Sequence, residues 1–312
     1  MTPPSRESRL PPGRIVITGA TGFIGANLVR ALQASGRASD IVAVCRGGQY
    51  KADLRNADEA DAVIREHRPS VLFHLAGLIY SNNLDELYRS NVVATRHVLE
   101  AVSSHVPECR VIVPGSAAEY GRVPPDELPI EERRVPAPVV PYGLAKVWQT
   151  ATAAYYATRG LRVVVARLFN IVGPGAPASL SVGAFAEQLR GIMSGKMPQR
   201  LLVGDLTPRR DFIDVGDACA ALVSLATLDD AAGIYNACSG ASVSMAEVLE
   251  LLVRESGLEV EVVLDEARLR YRAEIPDSFG TAERLRSATG WKPVVPLRAS
   301  LAEMLLVPSG RD

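Results

Sequence analysis

Arg14-Ile15-Val16-Ile17-Thr18-Gly19-Ala20-Thr21-Gly22-Phe23-Ile24-Gly25 is the stretch that decides the fold. A β-rich apolar run enters a turn with three spaced glycines, and Phe23–Ala34 then carries apolar residues at helical spacing. Each glycine has a physical task. Gly19 permits the tight turn, Gly22 lets backbone approach a pyrophosphate, and Gly25 allows close packing of helix on strand. The helix start offers free N–H groups and the positive end of its dipole to phosphate. Gly19, Thr21, Gly22, Phe23, Ile24 and Gly25 are therefore candidate contacts to a dinucleotide. A purely structural glycine turn is the alternative.

Reading outward, short strands alternate with helices. Ile41–Val44, Val71–Leu75, Arg110–Val113 and Arg162–Arg167 read as strands, and Ala57–Glu66, Leu87–Val102 and Tyr142–Arg159 as helices. Continuous apolar strands between helices imply an α/β, doubly wound parallel sheet covered on both faces. The pattern changes after Asn170. A Gly/Pro-rich Gly173–Pro177 precedes a helical Val182–Ser194, and Asp211–Val215 and Gly233–Asn236 look like returns to the sheet. Met245–Ser256 reads as helix, Val260–Leu264 as strand, and a last helix starts at Leu297. The expected division is a disordered lead-in over residues 1–13, a dinucleotide domain over 14–170 plus about 211–238, and a smaller lobe over 171–210 and 239–312.

Composition excludes several function classes. The chain has 312 residues, 47% of them hydrophobic, enough for a sizeable core. A net charge of −1 argues against nucleic acid or an anionic membrane as partner. Cys45, Cys109, Cys219 and Cys238 are far apart with no CxxC pair, so no zinc site or disulfide framework is expected, and a reducing cytoplasm fits. No apolar run approaches a membrane span. Met1–Pro12 is polar and Pro-rich, without the apolar centre of a signal peptide.

Two further segments carry chemistry. The second strand ends Val44-Cys45-Arg46-Gly47-Gly48, where an acidic residue would bind the ribose hydroxyls of NAD. Arg46 instead suits the 2′-phosphate of NADP through its planar guanidinium, so NADP(H) is favoured, NAD(H) being the other choice. A solvated surface arginine is the bland reading. Tyr142 and Lys146, in Pro141-Tyr142-Gly143-Leu144-Ala145-Lys146, share one helix face at i, i+4 spacing. A lysine charge beside a phenol is expected to lower its pKa and ready it for proton exchange with a carbinol or carbonyl oxygen. An ordinary exposed pair is the alternative.

In order along the chain come GATGFIG (Gly19–Gly25), HLAG (His74–Gly77), NVVATRHVLEA (Asn91–Ala101) and GSAAEYG (Gly115–Gly121). PYGLAK (Pro141–Lys146), ARLFNIVGPG (Ala166–Gly175) and RRDFIDVGD (Arg209–Asp217) follow. In these the chain, from about Arg14 to Leu305, resembles the extended short-chain dehydrogenase/reductase family of nucleotide-sugar epimerases, dehydratases and reductases. The resemblance implies a catalytic Ser116, which hydrogen-bonds the reacting oxygen, with Tyr142 as acid/base and Lys146 also holding the nicotinamide ribose. Asp53 and Leu54 match the adenine loop, and Leu75, Ala76 and Gly77 line the cofactor path. Ser116, Ala117, Tyr142, Asn170 and Arg210 match substrate positions, Arg210 on the diphosphate, where a bidentate arginine makes physical sense. A second diphosphate arginine is expected near Asp265–Pro276, where Arg270 and Arg272 both qualify, Arg270 being the candidate adopted. Asn91 could be purely structural, and Arg210 a surface charge.

The neighbours of Ser116 narrow the reaction. Family dehydratases carry an acid pair directly after the catalytic Ser/Thr. Here those places are Ala117 and Ala118, which transfer no protons. Epimerase-reductases place a Cys where Ala118 stands, and His67, His74, His97 and His105 all lie in the cofactor half. The segment GSAAEYG with ELPIEE and PYGLAK, and the tail Arg284–Pro296, look most like the GDP-4-keto-6-deoxymannose reductases. Reduction of a C4 ketone by NADPH is the leading expectation, and a nucleotide-sugar 4-epimerase the runner-up. A non-catalytic cofactor sensor would typically lose the Tyr/Lys pair that this chain keeps. A homodimer through two helices per subunit, one carrying Tyr142–Lys146, is implied; the apolar residues of Leu144–Tyr156 could equally face the core.

Overall fold

The computed structural model describes residues 10–47, 50–81, 83–229, 232–268 and 275–308. In chain order the first strands are β1 (Ile15–Thr18), β2 (Ile41–Cys45), β3 (Tyr50–Lys51), β4 (Val71–His74), β5 (Arg110–Ser116) and β6 (Arg162–Leu168). Then come β7 (Asn170–Val172), β8 (Arg200–Val203), β9 (Arg209–Asp214), β10 (Gly233–Ala237), β11 (Ser242–Ser244), β12 (Glu261–Leu264) and β13 (Asp277–Ser278). The helices of the first half are α1 (Phe23–Leu32), α2 (Ala57–His67), α3 (Leu84–Tyr88), α4 (Ala94–His105) and α5 (Pro141–Thr158). Those of the second are α6 (Ser181–Met193), α7 (Val215–Thr227), α8 (Met245–Ser256), α9 (Glu283–Thr289) and α10 (Leu297–Leu306).

Seven strands form one sheet in the order β10-β6-β5-β4-β1-β2-β3, and every pairing in it is parallel. Ile15 of β1 lies between Ile41 and Val71. All four residues of β1 and of β4 are buried, as expected of strands covered on both faces. One face packs under α1 and α7 through Leu28, Leu32, Cys219 and Leu222, and the other under α2, α4 and α5 through Ile64, Leu99 and Ala153. Strand order reverses between β1 and β4, so the crevice for a ligand opens at the carboxyl ends of those strands.

A second core holds α6, α8 and α10 together through Phe185, Leu189, Val248, Leu252, Leu301 and Met304. Its sheet is built on β9, with β11 antiparallel and β7 and β13 parallel to it; β12 and β8 form a separate parallel pair. Phe23, at the first turn of α1, packs against both this core and that of the large sheet.

Three expectations need correction. Asp211–Val215 does not return to the large sheet: Asp211–Asp214 fall in β9, which pairs Asn170 with Phe212 in the small sheet, Val215 starts α7, and only β10 returns. Residues 239–312 are not wholly the smaller lobe, because Leu285 of α9 and Trp291 are buried in the large-sheet core. Within the lead-in, residues 10–13 are pinned rather than disordered. Leu10 is buried, and Arg37 donates to the carbonyls of Leu10, Pro11 and Gly13 at 3.3, 3.1 and 3.4 Å. Residues 1–9 lie outside the described residues.

Candidate active site

The glycine turn has the shape its sequence requires. Gly19 has a φ of +67°, and a Cβ there would sit 2.7 Å from the Ala76 nitrogen. The turn thus lies directly on the Leu75–Ala76 backbone leaving β4. A Cβ on Gly25 would fall 2.2 Å from the Gly19 carbonyl oxygen, so helix and turn touch backbone to backbone. Gly22 caps α1 without a side-chain hydrogen bond, and the first turn holds no acidic residue. Its N–H groups are left for an anion, with Thr21, Phe23 and Ile24 alongside. This cradle fits the pyrophosphate of a dinucleotide.

Arg46 is exposed in the turn after β2, and its charge reaches Asp53. The Arg55 guanidinium holds the Asp53 carboxyl below its usual range, Arg46 adding to the effect, so this carboxylate is already engaged. Leu54 is buried, and its carbonyl lies 3.1 Å from the His97 ring. Gly77 follows Ala76; a Cβ there would meet Asn91 Oδ1 at 2.5 Å. Asn91 is buried and binds Leu78 N, Leu78 O and Leu87 O at 3.2, 2.9 and 3.0 Å, which makes it a structural tie for the cofactor loop.

Ser116 ends β5, and Tyr142 and Lys146 lie in the first turns of α5. Proline at the first helical position starts α5, its missing N–H costing nothing there. A Cβ on Gly143 would stand 2.4 Å from the Ala118 carbonyl, so the helix start is pressed against the turn after Ser116. The Tyr142 hydroxyl lies near enough to Ser116 for the serine to favour its ionised form. Burial pushes the Tyr142 phenol up to about 12, with the neighbouring Ser116 pulling it down and the Glu119 charge raising it. The expected lowering of this phenol by Lys146 is not what the structure gives, because desolvation dominates. Burial also pulls the Lys146 ammonium down to about 8. Its Nζ donates to Pro114 O at 2.5 Å and to Gln149 Oε1.

Two groups that sequence reading missed hold Ser116. Glu119 Oε1 accepts from the Ser116 N–H at 2.8 Å, while Oε2 accepts from Arg167 Nε and Nη2 at 2.9 and 2.8 Å. Both side chains are buried, at 0% and 2% exposure. The Arg167 guanidinium also lies over the Tyr120 ring, 4.6 Å from its centroid. A signal was present: Ser116-x-x-Glu119 is a capping-box pattern, and the turn after Ser116 forms that box. Arg167, a charge inside the apolar β6, required a buried partner.

Ala117 opens that turn, half-buried. Asn170 and Arg210 sit in the small sheet. Asn170 Nδ2 donates to Asp211 O at 3.0 Å, and Arg210 Nη1 to Arg209 O at 2.7 Å. Burial lowers the Arg210 pKa, so it is a partly desolvated cation rather than a surface charge. Arg270 and Arg272 lie outside the described residues. His67, His74, His97 and His105 belong to α2, β4 and α4. Among the described residues no cluster of ligands suits a metal.

Comparison with known proteins places this geometry. Residues 15–238 match the model of the NAD dependent epimerase/dehydratase family. The chain is 33% identical to the GDP-6-deoxy-D-mannose reductase of Pseudomonas aeruginosa, over 94% of this chain and 96% of that protein. It is 29% identical to the dTDP-6-deoxy-L-talose 4-dehydrogenase (NAD(P)(+)) of Kitasatospora kifunensis, over 94% and 95%. The structure of RMD from Pseudomonas aeruginosa complexed with NADPH superposes with a TM-score of 0.84 at 32% identity, covering 95% of this chain and 98% of that one. With its glycine turn, parallel sheet and smaller second sheet, the chain belongs to the NAD dependent epimerase/dehydratase family and is an NAD(P)-dependent nucleotide-sugar oxidoreductase or epimerase of the extended short-chain dehydrogenase/reductase type.

Proposed function

We propose that this enzyme reduces the C4 ketone of a GDP-4-keto-6-deoxyhexose with NADPH. One observation carries the reading: the start of the Tyr142 helix is pressed on the turn after Ser116, and that turn offers Ala117 and Ala118, which have no proton to give, so Tyr142, whose phenol burial keeps protonated, is the acid there. Ketone reduction needs an acid and nothing more, whereas dehydration needs further proton transfer at C5 and C6. When bound, NADPH supplies the hydride. Ser116 hydrogen-bonds the C4 oxygen, and Tyr142 delivers its proton there as negative charge develops. Lys146 has two of its N–H groups held by Pro114 and Gln149, and the third would serve the nicotinamide ribose. Arg46 would take the 2′-phosphate. Asn170 and Arg210, with Arg270 or Arg272, would take the sugar nucleotide and its diphosphate. The likeness to a GDP-6-deoxy-D-mannose reductase supports an oxidoreductase, and the likeness to a dTDP-6-deoxy-L-talose 4-dehydrogenase supports C4 as the position.

The test is stoichiometry. One NADPH should be oxidised per GDP-4-keto-6-deoxyhexose, deuterium on the transferring face of NADPH should appear at C4, and GDP-mannose should give no ketone. Interconversion of 4-epimers of an ordinary nucleotide hexose without added NADPH, with the ketones inert, would make the enzyme an epimerase.

A homodimer and a cytoplasmic setting complete the proposal. Tyr88, Trp148 and Tyr155 are 42%, 36% and 55% exposed on the face shared by α3 and α5, a size and chemistry suited to a second copy. All four cysteines are free and buried, which suits a reducing compartment. Among the described residues no helix is long and apolar enough to cross a membrane.

A further inference from the structure

A buried path of hydrogen bonds runs from Lys146 to the dinucleotide turn, and its chemistry fixes the direction of each bond. The Thr95 hydroxyl donates to Asn91 O at 2.6 Å, so its oxygen can only accept from its other neighbours. These are Gln149 Nε2 at 2.8 Å and His74 Nε2 at 3.0 Å. The His74 proton is therefore on Nε2, and Nδ1 is the acceptor for the Thr18 hydroxyl at 3.0 Å. Thr18 Oγ1 then accepts the Ala76 N–H at 3.1 Å. At the far end Gln149 Oε1 accepts from Lys146 Nζ. Thr18, His74 and Thr95 are wholly buried, Gln149 is 1% exposed and Lys146 4%. No water has to be invoked.

We propose that Thr95, His74 and Gln149 are positioning residues that hold Lys146 and the Leu75–Gly77 strand end in one fixed arrangement, with the Thr95 hydroxyl as the point where the two arms meet. Lys146 is expected to address the nicotinamide ribose, and Ala76 lies against the Gly19 turn; both ends of the path thus serve the same cofactor from different elements. Burial, with the Lys146 charge adding, pulls His74 down to about 3. The ring is neutral near pH 7, in agreement with the tautomer that the partners demand. A neutral imidazole with one donor and one acceptor can relay this geometry without adding a second buried cation beside Lys146.

Thr95→Val keeps the side-chain shape and removes the meeting point, stranding the Gln149 and His74 donors. Thr95→Ser keeps the hydroxyl. With NADPH and GDP-4-keto-6-deoxymannose, Thr95→Val should lower kcat about tenfold or more, because Lys146 and the Leu75–Gly77 strand end lose their common tie; tenfold is about 1.4 kcal/mol of barrier. Substrate KM should stay unchanged, and Thr95→Ser should return most of the rate. A folded Thr95→Val with wild-type kcat, or a loss that Thr95→Ser does not restore, overturns the proposal. This turnover arm rests on the reductase reading, so the second measurement does not. In 15N spectra of the wild-type enzyme, His74 should show a protonated Nε2 and a bare Nδ1 at pH 7, whether or not Thr95→Val folds. An imidazolium or an Nδ1–H tautomer would refute the path directly. A wild-type enzyme inert toward the ketone would sink the reductase reading and leave the imidazole spectrum to decide this one.

Discussion

The role proposed for Tyr142 depends on what surrounds its hydroxyl. Desolvation keeps the proton on the phenol, with Ser116 as its polar neighbour. Tyr142→Phe preserves the ring and removes the proton, so turnover should fall by orders of magnitude with NADPH affinity nearly intact, measured by steady-state kinetics and cofactor fluorescence. Wild-type turnover would exclude Tyr142 from the chemistry. The buried Glu119–Arg167 pair gives a second expectation. Arg167→Met leaves the Glu119 carboxylate buried without its counter-charge and should cost about 3–5 kcal/mol in denaturant unfolding. Glu119→Gln with Arg167→Met removes both charges and should recover much of that loss, yet still turn over slowly if the carboxylate is what seats Ser116. Equal stability of the single and double variants would show that the pair's charges do not matter.

Elements differ in how much of themselves the sequence displays. The glycine turn, β1 and α5 were legible because each is local: an apolar run, three glycines or an i, i+4 pair specify geometry within a dozen residues. Sheet membership is not local. The apolar end of β9 reads like any buried strand, and its pairing with Asn170–Val172 depends on chain folded some forty residues away. For the same reason Glu119 and Arg167, 48 residues apart, could not be joined by pattern alone. The phenol's pKa is not legible in the sequence, because a lysine four residues on is visible there, whereas desolvation is a property of the packed site. At the end of β2, Arg46 makes the cofactor choice testable. Arg46→Ala should weaken NADPH binding by about 1.5–3 kcal/mol, the usual worth of a hydrogen bond to a charged group, and leave NADH binding nearly unchanged. Titration of both cofactors decides it, since equal losses or none would relieve Arg46 of that role.

For the whole molecule, the aromatic face of α3 and α5 predicts association. Tyr88 and Trp148 meet edge to face with centroids 5.5 Å apart, and Tyr155 stands against Tyr156 in the same way. Trp148→Arg should convert the proposed dimer to monomers in light scattering; a monomeric wild type would end this part of the proposal. The path of the chain has a consequence of its own. After β6 it leaves the large sheet for β7–β9, comes back for α7 and β10, leaves again for β11–β13, returns with α9 and Trp291, and finishes on α10. Separate domains are commonly joined by one exposed linker. Here the two halves are stitched, and a protease that severs any single connector leaves the pieces sewn together by the remaining passes.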